Sequence, residues 1–221
     1  NKPTPIFKEL AMMTRFFLRP AALACLVVSL PAFAADLAPD AMVKKVAGDT
    51  LAAIKADKAM QRGDINRIIA LVDRTVMPNV NFTRMTGTAV GPAWRTATPA
   101  QKVQLEKEFK TLLVRTYSNA LTQYRNQQID FKPLKAKPED TDVVVRTEVR
   151  QAGAKPVQID YSLDKQGDNW KVYDVMVAGV SLVTNYRDSF GQEVRAGGID
   201  GLIKSLKDKN KQLETTVSAK K

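Results

Sequence analysis

The chain has 221 residues, a formal net charge of +11 at pH 7, no histidine and a single cysteine, Cys25. This composition excludes Ser-His and Cys-His nucleophilic sites and every metal site that depends on histidine. Paired carboxylates could still perform acid–base chemistry, but the sequence presents no clear pair, so we expect no catalytic residues, no metal site and no cofactor.

The first predicted element is a secretory signal peptide over residues 15–34. Arg15 and Arg19 precede a short apolar run, residues 21–30, and the segment ends in the Ala-x-Ala pattern of residues 32–34. The run is shorter than the about 20 apolar residues that span a bilayer. These features indicate cleavage after Ala34 and export from the cytosol.

A lipoprotein acylated at Cys25 is the alternative, but residues 22–24 match a lipobox poorly. Met12 or Met13 could be the native start, so residues 1–34 are interpreted as an N-terminal extension with the signal peptide. These residues carry four cations and one anion, which leaves a net charge of +8 on the rest of the chain. Outside the cytosol, such a charge favours anionic phospholipid headgroups or an acidic partner.

The first half of the body reads as helical. Proline at position 39 suits a first helical turn, and Asp64 can cap a second helix. Two short helices are expected over residues 79–87 and 88–95. A capping box formed by Thr98 and Gln101 then predicts a long helix whose apolar stripe runs from Leu105 to Tyr124.

After the long helix, the apolar period changes to two. Strands are predicted over residues 129–134, 142–150, 157–163 and 170–177, and helices over residues 182–195 and 199–206. Helices followed by consecutive strands and further helices predict an α+β fold, with helices packed on one face of a mainly four-stranded antiparallel sheet. The charged residues 207–221 are predicted to form a tail.

Three motifs have alternative interpretations. The glycine-rich residues 197–201 follow a helix rather than a strand, which favours a helix-to-helix turn over a phosphate loop. Asp174 falls on the same predicted strand face as Val172 and Met176, so it is either solvated there or paired with a base. The arginines do not interleave with aromatic residues on any strand, so we expect no nucleic-acid partner.

Several motifs, taken in order along the body, resemble the MlaC or toluene-tolerance family. They are Val72-Asp73, Met77-Pro78-Asn79-Val80, Ala97-Thr98-Pro99-Ala100-Gln101, Tyr117-Ser118-Asn119-Ala120-Leu121, Asn169-Trp170-Lys171-Val172-Tyr173-Asp174-Val175, Gly179-Val180-Ser181-Leu182 and Gly198-Ile199-Asp200-Gly201-Leu202. The resemblance covers about residues 40–206.

The resemblance implies a periplasmic phospholipid carrier with a cystatin-like or NTF2-like fold that encloses an apolar cavity. Such carriers shuttle lipid between an outer-membrane lipoprotein–porin complex and an inner-membrane ABC transporter complex, which maintains outer-membrane lipid asymmetry. Residues 35–206 would form the phospholipid-binding domain, with phospholipid as cargo. We expect a monomer.

The apolar faces of the helices and strands exceed what one four-stranded sheet obviously needs to cover, which permits a cavity. The residues predicted to line it are Phe82, Met85, Trp94, Phe109, Leu113, Tyr117, Val145, Ile159, Tyr161, Val172, Met176 and Val180. Each of them could equally belong to a solid core, because both roles require the same residue types. The cations predicted for the headgroup rim are Arg84, Arg95 and Arg187, and for each of them alone ordinary surface charge is the favoured alternative.

Two other classes of function stay open on the sequence. One is an NTF2-like enzyme that acts on an apolar substrate through Asp174. The other is a basic adaptor that binds acidic proteins or membrane surfaces without a lipid cavity.

Overall fold

The computed structural model describes residues 37–122 and 127–218, with side chains placed for residues 37–118 and 127–215. The predicted signal peptide and Tyr124, at the end of the predicted long helix, lie outside the described residues. The helices are α1 (Pro39–Ala56), α2 (Lys58–Gln61), α3 (Ile65–Leu71), α4 (Phe82–Val90), α5 (Pro99–Thr122) and α6 (Thr184–Ser218). The prediction of helices packed with an antiparallel sheet is confirmed.

Local capping explains where these helices begin. The Thr98 N–H donates to Gln101 Oε1 at 2.9 Å, and the Gln101 N–H donates to Thr98 Oγ1 at 3.2 Å, which is the predicted capping box of α5. Asp64 accepts from the Arg67 N–H and caps α3. The predicted boundary between two short helices at Gly87 is wrong, because α4 continues through Gly87 to Val90.

Gly87 serves packing within α4 rather than ending it. A Cβ at Gly87 would lie 3.0 Å from the indole ring of Trp94, so the missing side chain makes room for that ring. The helix instead stops at Gly91, whose φ of +74° lies in the left-handed region that favours glycine. A 3-10 turn, Gly91–Arg95, follows.

The sheet contains five strands in sequence order, each antiparallel to its neighbour. They are β1 (Gln128–Phe131), β2 (Asp142–Arg150), β3 (Val157–Gln166), β4 (Asn169–Val177) and β5 (Val180–Ser181). The sequence predicted the first four. The two-residue β5, paired with the end of β4, was missed because it is too short to show a period of two.

A β-bulge in β4 changes which residues face the helices. Leu163 pairs with Val172, whereas the preceding residue of β3, Ser162, pairs with Asp174, so Tyr173 is the extra residue. An added residue moves every later side chain to the other face. Val175 and Val177 consequently lie on the face of Val145 and Tyr161, which we call the inner face. Asp174 and Met176 lie on the outer face, and the prediction that Met176 points inward is wrong.

Two hydrophobic clusters form most of the core around the sheet and the long helices. The sheet cluster contains Val143, Val145, Leu163 and Val172 of the inner face, covered by Met42 and Val43 of α1. The helical cluster joins α4, α5 and α6 around Phe109, whose ring contacts those of Phe82, Tyr186 and Phe190 at centroid distances of 5.2–5.8 Å. Val80 packs against both clusters.

The segment before α4 connects the sheet to the helices. Val80 forms a parallel bridge with Val172, and the Asn81 N–H donates to the Val172 carbonyl at 2.8 Å. Asp164 Oδ2 then accepts from Asn81 Nδ2 at 2.9 Å and from Arg84 Nη1 at 2.8 Å. We call these five residues the junction. It fixes the start of α4 against β3 and β4.

The charged C-terminal stretch does not form the predicted tail over residues 207–218. After a break at Gly198, where φ is +68°, α6 continues to Ser218. Asn210, only 4% exposed, donates from Nδ2 to both the backbone carbonyl and the carboxylate of the buried Glu108, at 3.0 and 2.9 Å. Arg115 Nη1 donates to the Asn210 carbonyl. These contacts fasten the end of α6 to α5.

The junction predicts a measurable loss of stability when its shared acceptor is removed. Asp164→Ala deprives Asn81 and Arg84 of their acceptor, and we expect a loss of about 1–2 kcal/mol in the free energy of unfolding by urea. Asp49→Ala is the matched control, because it removes an exposed carboxylate that pairs with Lys45 one helical turn away. The control should cost about 0.5 kcal/mol or less. Equal losses in both variants would contradict the role of the junction.

The docking of the C-terminal helix predicts a second difference. Asn210→Ala leaves the buried carboxylate and carbonyl of Glu108 without their donor, so unfolding in urea should show a loss of about 1–3 kcal/mol. Lys209→Ala changes the neighbouring exposed position and should stay within about 0.5 kcal/mol of the wild type. An Asn210 variant as stable as the Lys209 variant would mean that this end of α6 is not held on α5.

Candidate functional site

The inner face of the sheet is covered unevenly, and this difference defines the candidate site. One end lies under α1 in the sheet cluster and is buried. At the other end, half-buried apolar residues give way to Val157 and Val180, which are 40% and 55% exposed. The residues of this end, which we call the open end, are Ile129, Val149, Val157, Ile159, Val177 and Val180.

The open end adjoins the start of α6. The Leu182 N–H donates to the Val175 carbonyl at 2.9 Å, which holds the residues before α6 against β4. One turn into α6, the ring of Tyr186 packs edge-on against Phe109. Burial raises the pKa of Tyr186, and the hydroxyl of Tyr117 on α5 adds to that rise. A tyrosine pair from α5 and α6 therefore lies at the start of α6, packed against the helical cluster.

Tyr161 marks the boundary between the covered and open ends of the inner face. Burial raises the pKa of its phenol, which a hydrogen bond with the Thr147 side chain partly offsets. Its partner across the strand, Val175, is also half-buried. Together, Tyr161 and Val175 present apolar surface, and the only polar side-chain group of the pair is the Tyr161 hydroxyl. This composition suits contact with hydrocarbon chains.

The structure divides the predicted lining residues into four groups. Five of them are buried in the two clusters: Phe82, Met85, Phe109, Val145 and Val172. Five others are half-buried: Trp94, Leu113, Tyr117, Ile159 and Tyr161. Of the remaining two, Val180 is exposed and Met176 faces outward. Within the half-buried group, Ile159 and Tyr161 lie on the inner face, Leu113 and Tyr117 on α5, and Trp94 in the turn after α4. The described residues do not show the enclosed apolar cavity, which stays a prediction.

The sequence missed three residues of this region: Val175, Val177 and Tyr186. The first two were hidden by the bulge, which no alternation pattern reveals. Tyr186 lies one turn before Phe190 on α6, so helical spacing could have identified it.

Arg84, predicted for a headgroup rim, is already engaged by carboxylates. Its Nη1 lies 2.8 Å from Asp164 Oδ2 and 3.4 Å from Asp142 Oδ1, and its guanidinium carbon lies 3.4 Å from the centroid of the Tyr173 ring. Burial alone would lower the pKa of Arg84, but the hydrogen bond to Asp164 and the nearby charges leave it raised. Because its charge is balanced locally, we assign Arg84 to the junction.

Arg95 and Arg187 lie near the 3-10 turn that follows α4. Arg95 is the last residue of that turn, and the Arg187 side chain passes Gly91, the first residue. Both are exposed. Their role at a headgroup rim stays a prediction.

Asp174 is a structural acceptor. Its Oδ1 accepts from the N–H groups of Val175 and Val183, at 2.8 and 3.3 Å, and its Oδ2 accepts from Ser181 Oγ at 2.6 Å. The carboxylate thus ties the end of β4 to β5 and to the start of α6. These three donors explain why a carboxylate lies at the end of this largely apolar strand.

Other kinds of site find no support in the described part of the chain. Over residues 37–122 and 127–218, no group of three or more metal-ligating side chains comes together. None of the helices there has the length and apolar character needed to cross a membrane. A groove of about 370 Å³ on α6 is lined mainly by polar and charged residues, including Glu193, Lys204 and Asp208.

Helices packed on one face of a curved, open antiparallel sheet place the chain in a class of α+β proteins that includes a solved phospholipid-binding protein. That structure, a protein from Ralstonia solanacearum in complex with a phospholipid, is 40% identical with a TM-score of 0.76. The match covers 79% of this chain and 98% of that chain. The family model described as MlaC protein matches residues 44–208. The chain belongs to the MlaC family.

Two curated relatives agree with this assignment. The intermembrane phospholipid transport system binding protein MlaC of Haemophilus influenzae is 25% identical over 181 residues, which cover 80% of this chain and 85% of the relative. The toluene tolerance protein ttg2D of Pseudomonas putida is 29% identical over 164 residues, which cover 73% and 75%.

The contacts of Asp174 predict that it contributes to stability. Asp174→Ala removes the acceptor of three donors, and thermal or urea unfolding should show a loss of about 1–3 kcal/mol. Asp174→Asn retains one carbonyl oxygen for the two backbone N–H groups, so its loss should be the smaller. A carboxylate reserved for chemistry would behave differently, since Asp174→Ala would then unfold like the wild type.

Proposed function

We propose that the protein binds phospholipid acyl chains between the open end of the inner face and helices α5 and α6, and carries the lipid between membranes. The observation that carries this proposal is the uneven cover of the inner face. A row of neighbouring apolar strand residues that runs from a buried cluster out to solvent is a candidate binding surface. The similar Ralstonia solanacearum structure is a complex with a phospholipid, which supports a lipid as the ligand.

The proposed contacts follow from this arrangement. Ile159, Tyr161, Val175 and Val177 would line the sheet side. The helical side would be formed by Leu113, Tyr117 and Tyr186. Because the junction joins the layers near the other end of β3, the chains could enter from the open end without disturbing it. The headgroup would stay near solvent at the mouth.

The energetics favour a carrier without catalytic residues. Each methylene kept from water is worth about 0.8 kcal/mol, so a two-chain lipid cannot cross an aqueous compartment unshielded at a useful rate. An apolar site on the protein surrounds the acyl chains as the bilayer interior does. The free energy of transferring a lipid between bilayer and protein is therefore far closer to zero than that of transferring it into water. Direction must then come from different affinities at two docking sites, or from ATP hydrolysis at a transporter.

The cellular setting follows from the leader and the family. A cleaved signal peptide over residues 15–34 would release the body into the periplasm, where it would act as a monomer. Relatives named for intermembrane phospholipid transport and toluene tolerance support partners in both membranes. We place the protein between an outer-membrane lipoprotein–porin complex and an inner-membrane ABC transporter complex, where it would maintain outer-membrane lipid asymmetry.

Lipid extraction tests the proposal directly. Organic extracts of the protein purified without detergent should contain phospholipid by mass spectrometry, close to one equivalent. Delipidated protein should also take up phospholipid from vesicles. Protein that carries none after purification and takes none up would contradict the proposed function.

A variant of the open end tests the location. Ile159→Trp places a large ring on the inner face, where it would occupy the volume of the acyl chains, so the phospholipid recovered per protein should fall at least fivefold. Val144→Trp adds the same ring to the half-buried outer face of β2 and should leave the recovered lipid unchanged. Matching circular dichroism spectra would show that both variants fold. Equal lipid content in the two variants would refute this location.

A further inference from the structure

Two arginines on α6 lie along one stripe, each accommodated by a glycine. A Cβ at Gly191 would lie 3.4 Å from Arg195 Nη1, and one at Gly91 would lie 3.8 Å from Arg187 Nε. Arg187, Gly191 and Arg195 are spaced four residues apart, so they share one face of the helix. Both guanidinium groups are exposed on this face.

Two further cations lie beside this stripe, one in the first turn of α5 and one in the 3-10 turn. Lys102 Nζ lies 5.3 Å from the centroid of the Trp94 ring, within the range of a cation–π contact. Arg95 is the next residue after Trp94 and is exposed. Arg95, Lys102, Arg187 and Arg195 together form what we call the cationic surface, with the half-buried Trp94 among them.

The four residues of the cationic surface form no ion pair with a carboxylate in the described part of the chain, although Glu106, Asp188 and Glu193 lie near them in sequence. Within the described residues, no Asp or Glu oxygen lies within 4 Å of any of the four cationic groups. Arg84, Arg115 and Arg150 form ion pairs, whereas the exposed Arg62, Arg74 and Arg146 form none in the described residues. What distinguishes the cationic surface is therefore the grouping of its cations around one turn and one helix face. The cationic surface is therefore free to meet an external anion.

We propose that the cationic surface docks the protein reversibly on an anionic phospholipid bilayer. Each Lys or Arg close to such a bilayer strengthens binding by about fivefold, which corresponds to about 1 kcal/mol. Four such residues yield an enhancement of several hundredfold, which is enough to bring a carrier to a membrane and weak enough to release it. Salt should abolish it, because the contacts are solvated.

The composition of the surface favours a bilayer over an acidic protein. Specific protein interfaces centre on a buried apolar cluster, which four solvated cations around one half-buried tryptophan do not provide. A lipid surface requires only charge, and an aromatic ring with a polar edge suits the headgroup level.

Docking and acyl-chain binding are proposed to use different residues, so they can fail separately. The acyl chains are proposed to lie along the inner face, whereas the cationic surface lies on α6, the first turn of α5 and the turn after α4. Because Arg95 and Arg187 are also the predicted headgroup rim, the variants that test docking change Lys102 and Arg195 instead. The inference takes its purpose from the proposed carrier function but does not depend on it.

Sedimentation with vesicles tests the proposal. We would compare phosphatidylcholine vesicles with vesicles that also contain phosphatidylglycerol, at low and at high salt. The protein should sediment with the anionic vesicles at low salt only. Lys102→Gln/Arg195→Gln removes two charges of the cationic surface and should weaken this partitioning about 25-fold. Lys58→Gln/Arg62→Gln removes two exposed charges, one from α2 and one from the residue that follows it, and should change the partitioning less than twofold.

Three outcomes would overturn the proposal. If the protein does not bind anionic vesicles, an acidic protein is left as the partner. If it binds both vesicle types equally, the binding does not depend on anionic lipid. If both double variants lose binding equally, net charge alone explains the binding. Thermal unfolding would verify that both variants fold. The phospholipid recovered from each should equal that of the wild type, so a failure of docking can be distinguished from a failure of lipid binding.

Discussion

The two hydrogen bonds accepted by Asp164 Oδ2 hold the sheet and the helices together near one end. Through them, Asn81 and Arg84 fix the start of α4 on β3, while the Val80–Val172 bridge adds a backbone contact beside them. Burying a carboxylate costs free energy, which an ion pair offsets only when further hydrogen bonds also satisfy the carboxylate. This one is shared by a helix cap and a guanidinium. The rest of the inner face can therefore be left partly uncovered without the layers separating.

The candidate site is a consequence of this asymmetric attachment. Near the junction, α1 and the residues before α4 complete the sheet cluster. Away from the junction, Asp174 accepts hydrogen bonds from Ser181 and Val183 and so fixes the turn that leads into α6. Beside this turn, Tyr186 of α6 contacts Tyr117 of α5. An interior that was closely packed throughout would resist the entry of a lipid chain, since proteins tolerate few voids. At the proposed site, uneven cover would give an acyl chain a place to enter.

Much of the fold could be predicted from the sequence, because helix caps and alternating strands are local signals. The capping box at Thr98 and the cap at Asp64 were both confirmed. The bulge at Tyr173 could not be predicted, since it depends on pairing with β3, and it reversed the expected positions of Val175 and Met176. The C-terminal residues were predicted to form a tail because most of them are charged. The contact that holds them, between Asn210 and Glu108, joins residues 102 positions apart and leaves no local pattern in the sequence. For the site, apolar character could be predicted, but whether a residue lines it or belongs to the core depends on cover from distant segments.

The central claim is that acyl chains lie along the inner face at the open end. Loading the protein with a phospholipid that carries a photoactivatable group on one acyl chain, followed by irradiation and peptide mass spectrometry, would map that contact. The account predicts crosslinks at Ile159, Tyr161, Val177 and Tyr117. Crosslinks confined to the outer face, at Val144 and Met176, would contradict it.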